Sequence, residues 1–312
     1  MKLDSKIYIA GHRGMVGSAI VHLLKTLNYS NLILRSRHEL DLTRQFEVEK
    51  FFDEEKPEYV ILAAGKVGGI MANKNFKADF IYQNLLIQSN VIASAFENSV
   101  KKLLFLGSSC IYPRLAPQPI SESDLLSGPL EPTNDAYAVA KIAGIKLCQA
   151  YQEQHGADFF SVMPTNLYGP NDNFNLETSH VLPALIYKFH RAKVQSLPSV
   201  TLWGTGSAFR EFLHVDDLAI ACVHLMNSQV NETLINVGTG KDISIKNLAY
   251  LVCRIVGYEG KINWDSNKPD GTPRKLLNVD LANKLGWKAS VSLEKGIQQT
   301  YDWFVKEYRE KQ

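Results

Sequence analysis

A doubly wound, mostly parallel α/β sheet is expected from three features of the chain. Short apolar runs at residues 6–10, 59–63, 102–106 and 159–162 alternate with longer segments of helical periodicity. The first run passes directly into GHRGMVG, three glycines spaced three apart that open a helix. The third run stops at Gly107 and is followed by Ser108, Ser109 and Cys110. Small polar residues there lie at the carboxyl end of a buried strand, where open α/β sheets bind their ligands.

Composition narrows the classes. A chain of 312 residues, 45% hydrophobic, is long enough for a large core and about two domains. A net charge of +2 excludes the strong basic excess of a dedicated nucleic-acid binder. Cys110, Cys148, Cys222 and Cys253 have neither disulfide-framework nor metal-ligand spacing, which fits free thiols in a reducing cytoplasm and no bound metal. The N-terminus lacks the apolar core of a signal peptide, and no apolar run approaches the ~18 residues of a membrane span.

The first strand leads into a helix over residues 18–27, with Ile20, Leu23, Leu24 and Leu27 on one face. Between them, Gly11, Gly14 and Gly17 let a turn close, a backbone approach a pyrophosphate and a helix pack tightly on its strand. The helix amides, framed by His12, Arg13, Met15 and Val16, then face the anion. A second strand at 32–34 ends at Arg35, with Arg37 close behind. An acidic residue at that place would take the ribose hydroxyls of NAD, whereas arginine accommodates the extra phosphate of NADP. Arg13 points the same way.

Helices are expected at 45–54, 79–99 and 136–154, between strands at 59–63, 102–106 and 159–162. AAGKVGGI, residues 63–70, has glycines just past a strand end, placed to line a cofactor. Beyond 163–165 the pattern loosens into a turn-rich stretch at 168–175 and a helix at 179–191. Strands follow at 200–203, 210–214 and 234–237, with a helix at 216–227 capped by aspartates. Helices at 245–256, 279–285 and 293–308 surround a loop at 266–275. With no linker or internal repeat, a smaller C-terminal α/β unit is interleaved with the first. The expected division is a Rossmann-type unit at 1–165 plus roughly 200–240, and a substrate unit at 166–199 and 241–312.

Tyr137 and Lys141 are four apart in the helical segment 136–154, so they share one face. An ammonium beside a phenol favours the phenolate, lowers the tyrosine's pKa and lets the pair move a proton to or from a substrate oxygen. A nearby serine hydroxyl, Ser108, would hold that oxygen. Alone, such a pair is an ordinary solvated helix contact. Behind a glycine loop and a serine-tipped strand it reads as a catalytic pair.

The glycine loop, the Ser108 strand end and the Tyr137/Lys141 pair together resemble the extended short-chain dehydrogenase/reductases, and REFLHVDD from Arg210 and INVGTG from Ile235 are similar to that superfamily's later landmarks. AGHRGMVGSAI, KVGGI, ADFIYQN, GSSCIYP, EPTNDAYAVAKIAGIKLC, MPTNLYGP and KPDGTPRKLL more closely resemble the GDP-L-fucose synthase family, over nearly the whole chain. That resemblance implies NADPH-dependent 3,5-epimerisation and 4-keto reduction of GDP-4-keto-6-deoxy-mannose by a cytoplasmic homodimer. It gives Ser108, Tyr137 and Lys141 the reductase roles, and Cys110 and His180 the proton transfers of epimerisation. It implies cofactor contacts along the glycine loop, at Arg35, Leu106, Gly107, Ser108, Ser109 and Lys141, at Pro164, Thr165, Asn166 and Leu167 near the nicotinamide, and at His180. Lys188, Trp203, Arg210 and Asp270 would contact the nucleotide sugar. Two positions depart from the family's pattern: Lys188 stands where arginine is usual, and Gly65 replaces an alanine.

The chemistry is coherent without the name. A ketone at sugar carbon 4 acidifies the hydrogens on carbons 3 and 5, because the enolate spreads its charge onto the oxygen that Tyr137 and Ser108 would hold. Inversion needs one group to remove a proton and another to return it from the opposite face. A thiol and an imidazole both titrate near neutrality. A ketoreductase acting on carbon 4 alone, on a related GDP-deoxysugar or GDP-heptose, would need neither Cys110 nor His180. A non-catalytic NADP-binding regulator would lack Tyr137 or Lys141. Lys268, Asp270 and Arg274 in the 266–275 loop are further expected to meet the GDP group.

Overall fold

The computed structural model describes residues 1–268 and 270–308. Pro269, part of the KPDGTPRKLL motif, lies outside the described residues. In the first two-thirds of the chain, strands and helices alternate as β1 (Ile7–Ala10), α1 (Met15–Thr26), β2 (Leu32–Ile33), α2 (Gln45–Glu55), β3 (Tyr59–Leu62), α3 (Ile70–Asn75), α4 (Lys77–Glu97), β4 (Lys102–Leu106), α5 (Asp135–His155) and β5 (Phe159–Pro164). After these come β6 (Asn166–Tyr168), α6 (Val181–Val194), β7 (Ser199–Trp203), β8 (Phe209–His214), α7 (Val215–Asn227), β9 (Leu234–Val237), β10 (Asp242–Ser244), α8 (Ile245–Val256), β11 (Lys261–Asp265), β12 (Arg274–Lys275), α9 (Asp280–Lys284) and α10 (Leu293–Trp303).

Six strands form one parallel sheet in the order β2-β1-β3-β4-β5-β9. Strand order reverses between β1 and β3, which opens the crevice where ligands bind such sheets. Side chains alternate across the sheet into two cores. Tyr8, Val60, Leu62, Leu103 and Phe105 meet α2, α4 and α5 on one face. Ile7, Ile9, Ile61, Leu104 and Leu106 meet α1 and α7 on the other. Burial on both faces explains why these strands read as continuous apolar runs.

The remaining strands make a smaller assembly. β8 is flanked by antiparallel β10 and parallel β12, and its first-sheet end pairs with β6; β7 and β11 pair separately. α6, α8 and α10 cover a third core around Phe189, Leu248, Val252 and Ile297.

β6 and β11 lie where the sequence assigned no strand, and one expectation, the cap of α7, is corrected. β6 runs just ahead of the turn-rich stretch at 168–175; its three residues are too few to show a period, and it owes its form to the edge of β8. β11 shows the polar–apolar alternation of a half-buried strand, with Ile262 and Trp264 turned to the third core. α7 is capped by His214 rather than by aspartate: the chain enters the helix straight from β8, and His214 Nδ1 accepts the Asp216 amide at 3.3 Å. Asp217 turns inward instead, accepting from the Ser290 and Val291 amides at 3.1 and 2.8 Å.

Candidate active site

The glycine loop is built for an anion. Gly11 has φ +85, and a Cβ on Gly17 would stand 2.2 Å from the Gly11 carbonyl oxygen, so the helix rests directly on the turn. α1 begins with no side-chain cap and no acidic residue in its first turn, which leaves its amides and the positive end of its dipole facing the crevice. A dinucleotide's pyrophosphate fits this cradle.

Beyond β2, the Arg35 guanidinium forms an ion pair with Glu55 of α2. It therefore does not stand free for a phosphate as the sequence suggested. The Glu39 carboxylate accepts the Ser36 amide at 2.7 Å; hydrogen bonding from the Ser36 side chain and amide, and after them the fields of Arg13 and Arg35, hold it below its ordinary pKa. Two guanidinium groups and two carboxylates, Glu39 and Glu55, thus share the place where a ribose would end.

At the end of β4, Ser108 is extended and its hydroxyl accepts the Cys110 amide at 3.4 Å, opening a single 3₁₀ turn over Ser109–Ile111. α5 runs beside that strand end. Phe80 of α4 meets the Tyr137 ring edge-on at 6.1 Å, and Lys141 is buried with its ammonium 4.6 Å from the Phe105 ring centroid. Ser108, Cys110, Tyr137 and Lys141 are brought together as the sequence suggested, but their electrostatics differ. Lys141 Nζ donates to the Leu106 carbonyl at 2.7 Å rather than to the phenol. Burial pushes the Lys141 ammonium down to about 8, opposed by Cys110. The Tyr137 phenol is raised by burial and by Cys110, with a hydrogen bond to Ser108 opposing. It is therefore held protonated, the form of a proton donor, and not lowered by its lysine.

Burial also raises the Cys110 thiol, with Lys275, Ser108 and Lys141 opposing in that order. Lys275, on β12, is the functional candidate that sequence reasoning missed. It lies within KPDGTPRKLL beside Arg274, and strand alternation separates the two: Arg274 pairs with Asp242 at 2.5 Å, so its charge is committed away from the expected GDP contact.

His180 is the N-cap of α6, with no side-chain capping bond. The residue is exposed, yet the protein around the imidazole lowers its pKa by burial. Gly69 donates its amide to the Thr178 carbonyl at 2.8 Å, so the KVGGI loop fastens the segment leading to His180.

Pro164 to Leu167 span the exit of β5 and β6, where the Thr165 hydroxyl and the Asn166 amide both donate to the Glu211 carbonyl, at 3.2 and 2.8 Å. Those two side chains fasten the segment to β8. Gly107 donates to the Val162 carbonyl at 2.9 Å, which aligns the ends of β4 and β5.

On the smaller assembly, Trp203 is 53% exposed, and the ammoniums of Lys188 and Lys268 lie 5.9 and 5.5 Å from its ring centroid. An exposed aromatic face between cations suits a base and its phosphates. Burial lowers the Arg210 guanidinium, with Asp270 and Glu131 opposing. The Asp270 carboxylate accepts the Thr205 amide and hydroxyl, each at 2.8 Å.

Comparison with known proteins gives this arrangement its place. The profile of the NAD dependent epimerase/dehydratase family matches residues 7–238. The chain is 62% identical to GDP-L-fucose synthase 1 of Arabidopsis thaliana over 97% of its own length and 94% of the relative's. It is 55% identical to the GDP-L-fucose synthase of Escherichia coli (strain K12), over 96% of each chain. A GDP-mannoheptose C4 reductase from Campylobacter jejuni, solved with NADP bound, superimposes with a TM-score of 0.91 at 42% identity, over 98% of this chain and 100% of that one. The chain therefore belongs to the NAD dependent epimerase/dehydratase family and, within it, to the GDP-L-fucose synthase family.

Proposed function

We propose that this enzyme converts GDP-4-keto-6-deoxy-D-mannose to GDP-L-fucose by 3,5-epimerisation and NADPH-dependent reduction of the 4-ketone. The observation that carries this reading is the grouping of Ser108, Cys110 and a protonated Tyr137 at one strand end. Ser108 and Tyr137 hold the ketone oxygen and stabilise the enolate formed when a proton leaves carbon 3 or 5. Cys110, as thiolate, removes that proton, and His180 returns one from the opposite face. Bound NADPH supplies the hydride for carbon 4. Tyr137 then gives its proton to the carbon 4 oxygen, and the buried Lys141 ammonium steadies the phenolate that remains.

The pyrophosphate rests on the Gly11 to Gly17 loop, and Leu106 to Ser109, Lys141, Pro164 to Leu167 and His180 border the nicotinamide ribose. Arg13, uncommitted among the described residues, and Arg35, once it leaves Glu55, favour the 2′-phosphate and hence NADP over NAD. The cofactor occupies the six-stranded unit and the nucleotide sugar the smaller one, with Lys188, Trp203, Arg210 and Asp270 around the GDP group. Tyr82 on α4 and Val139 on α5, 65% and 45% exposed on two helices packed together, offer an apolar face for a homodimer. A cytoplasmic setting suits four cysteines that are all free thiols.

The test is reaction of the unaltered protein with GDP-4-keto-6-deoxy-D-mannose and NADPH in deuterium oxide. GDP-L-fucose carrying deuterium at carbons 3 and 5 is expected. Reduction at carbon 4 with no deuterium at either carbon would make the protein a C4 reductase, like the Campylobacter enzyme it superimposes on.

A further inference from the structure

Lys275 closes β12, in register with Arg210 on β8. The chain just beyond it is fastened to the segment that leaves the Cys110 turn. The Ile120 amide donates to the Leu276 carbonyl and the Asn278 amide to the Ile120 carbonyl, both at 2.8 Å. The Leu276 amide donates to Gln118 Oε1 at 2.8 Å, and the Leu277 amide to the buried Glu211 carboxylate at 2.9 Å. Leu277 is 1% exposed and packs in the same core as Ile111 and Tyr112, the residues that follow Cys110. Alternation along an extended chain puts Lys275 on the side of Leu277 and Arg274 on the other, where Asp242 takes it. Among the described residues, the Lys275 ammonium makes no hydrogen bond and no ion pair. A half-buried, uncommitted cation at a site of this kind gains from a partner.

The groups facing it are few. Burial lowers the Lys275 ammonium; Cys110 opposes that most, Arg210 adds to it, and Glu131 opposes it more weakly. The Glu131 carboxylate is already engaged by Arg114 at 3.3 Å and by the Thr133 hydroxyl at 3.1 Å. Around the thiol itself stand Ser108, Tyr137, Lys141 and Lys275. Lys141 is tied to the Leu106 carbonyl, whereas Lys275 makes no such bond and has its ammonium uncommitted among the described residues.

We propose that Lys275 is the cation that maintains Cys110 as a thiolate for proton abstraction, a positioning residue that acts through the thiol. The proposal deepens the reading of Cys110 as the base and rests on it. A lysine serving only a diphosphate would change the Michaelis constant for the sugar and leave the thiol's titration where it was.

Ultraviolet difference absorbance between a protein and its own Cys110→Ser counterpart counts the Cys110 thiolate against pH without needing reagent access. Lys275→Met should move the midpoint upward by about one pH unit, about tenfold less thiolate at a given pH, and Lys275→Arg should restore most of it. NADPH binding by each variant serves as the control for folding. An unmoved midpoint in Lys275→Met, with NADPH binding retained, overturns the proposal. Deuterium exchange at carbons 3 and 5 by Cys110→Ser reports separately on the base: normal exchange there removes Cys110 from the mechanism while the midpoint still reports whether Lys275 governs the thiol.

Discussion

Lys141 Nζ donates to the Leu106 carbonyl oxygen at 2.7 Å, a bond from helix α5 to the last residue of β4. It joins the two elements that carry the reacting groups, since Ser108 lies two residues beyond Leu106 and Tyr137 one helical turn before Lys141. It also means that the lysine is held by the scaffold before any ligand arrives. The geometry of Tyr137 and Ser108 is therefore set by the protein rather than by the substrate.

That arrangement is unfavourable for stability, and the size of the effect is testable. On folding, the Lys141 pKa falls from 10.5 to about 8, so between those values the unfolded chain binds more protons and stability rises with pH. Below that window the full penalty remains, about 3 kcal/mol for a shift of this size. Lys141→Met removes it and loses a hydrogen bond that contributes about 1 kcal/mol. A net stabilisation of about 2 kcal/mol near neutral pH is expected in the ligand-free protein, shrinking above pH 8, together with loss of reductase activity. Urea unfolding at two pH values measures it, and a destabilised variant near neutrality contradicts the account.

Cofactor choice turns on the two arginines. Arg13 is committed to no hydrogen bond or ion pair among the described residues, whereas Arg35 must leave Glu55 to meet a phosphate. Arg13→Ala should weaken NADPH by about tenfold or more, the value of a charge-assisted contact, and leave NADH nearly unchanged. Arg35→Ala should do the same to a smaller extent. Glu55→Gln, by freeing Arg35 from a half-exposed pair that contributes up to about 1 kcal/mol, should tighten NADPH by a few fold. Fluorescence titration with both cofactors decides this, and equal affinity of the unaltered protein for NADPH and NADH would sink it.

How much of this was legible in the sequence follows from how local each feature is. Gly11, Gly14 and Gly17 act within one turn, and Tyr137 and Lys141 within one turn of helix, so spacing exposed them once the strand, loop and Ser108 supplied the context. The parallel sheet was legible because strands buried on both faces have no polar side to interrupt them. Arg35–Glu55 and Arg274–Asp242 join residues on different elements, and no spacing rule reveals that those charges are taken. Lys275 was hidden for the same reason: its meaning comes from pairing with Arg210 and from the ladder that ties its strand to Ile120. The direction of the Tyr137 shift was misjudged because spacing predicts the neighbour of a phenol but says nothing of how deeply it is buried.

Arg210 and Arg274 now make unequal predictions for the nucleotide. Arg210 is half-buried and lies in the fields of Asp270, Glu131 and Lys275, while Arg274 is exposed and bound to Asp242. Arg210→Ala should raise the Michaelis constant for the GDP-ketosugar by about tenfold or more, as a lost charge-assisted contact does. Arg274→Ala should change it by less than about twofold, as befits a surface pair. Equal effects of the two substitutions in steady-state assays would return Arg274 to the binding site.

Epimerisation and reduction should separate by mutation if, as proposed, Cys110 and His180 serve carbons 3 and 5 while Tyr137 serves the oxygen on carbon 4. Cys110 stands two residues past Ser108, and only as a thiolate could it take an acidified hydrogen. Cys110→Ser puts a far weaker acid in the same space, so the conjugate base is scarce at neutral pH. It should abolish solvent deuterium incorporation at carbons 3 and 5 while an already epimerised ketosugar is still reduced. His180, lowered by burial, gives up its proton readily once charged. His180→Asn should leave proton removal in place and slow its return, giving exchange with incomplete inversion. Rates should fall by about 100-fold or more for the step each residue serves. The measurement is deuterium content and stereochemistry of the product by nuclear magnetic resonance, run beside NADPH oxidation on both ketosugars. A Cys110→Ser, His180→Asn double variant that still makes GDP-L-fucose at the original rate would show that neither group carries the proton.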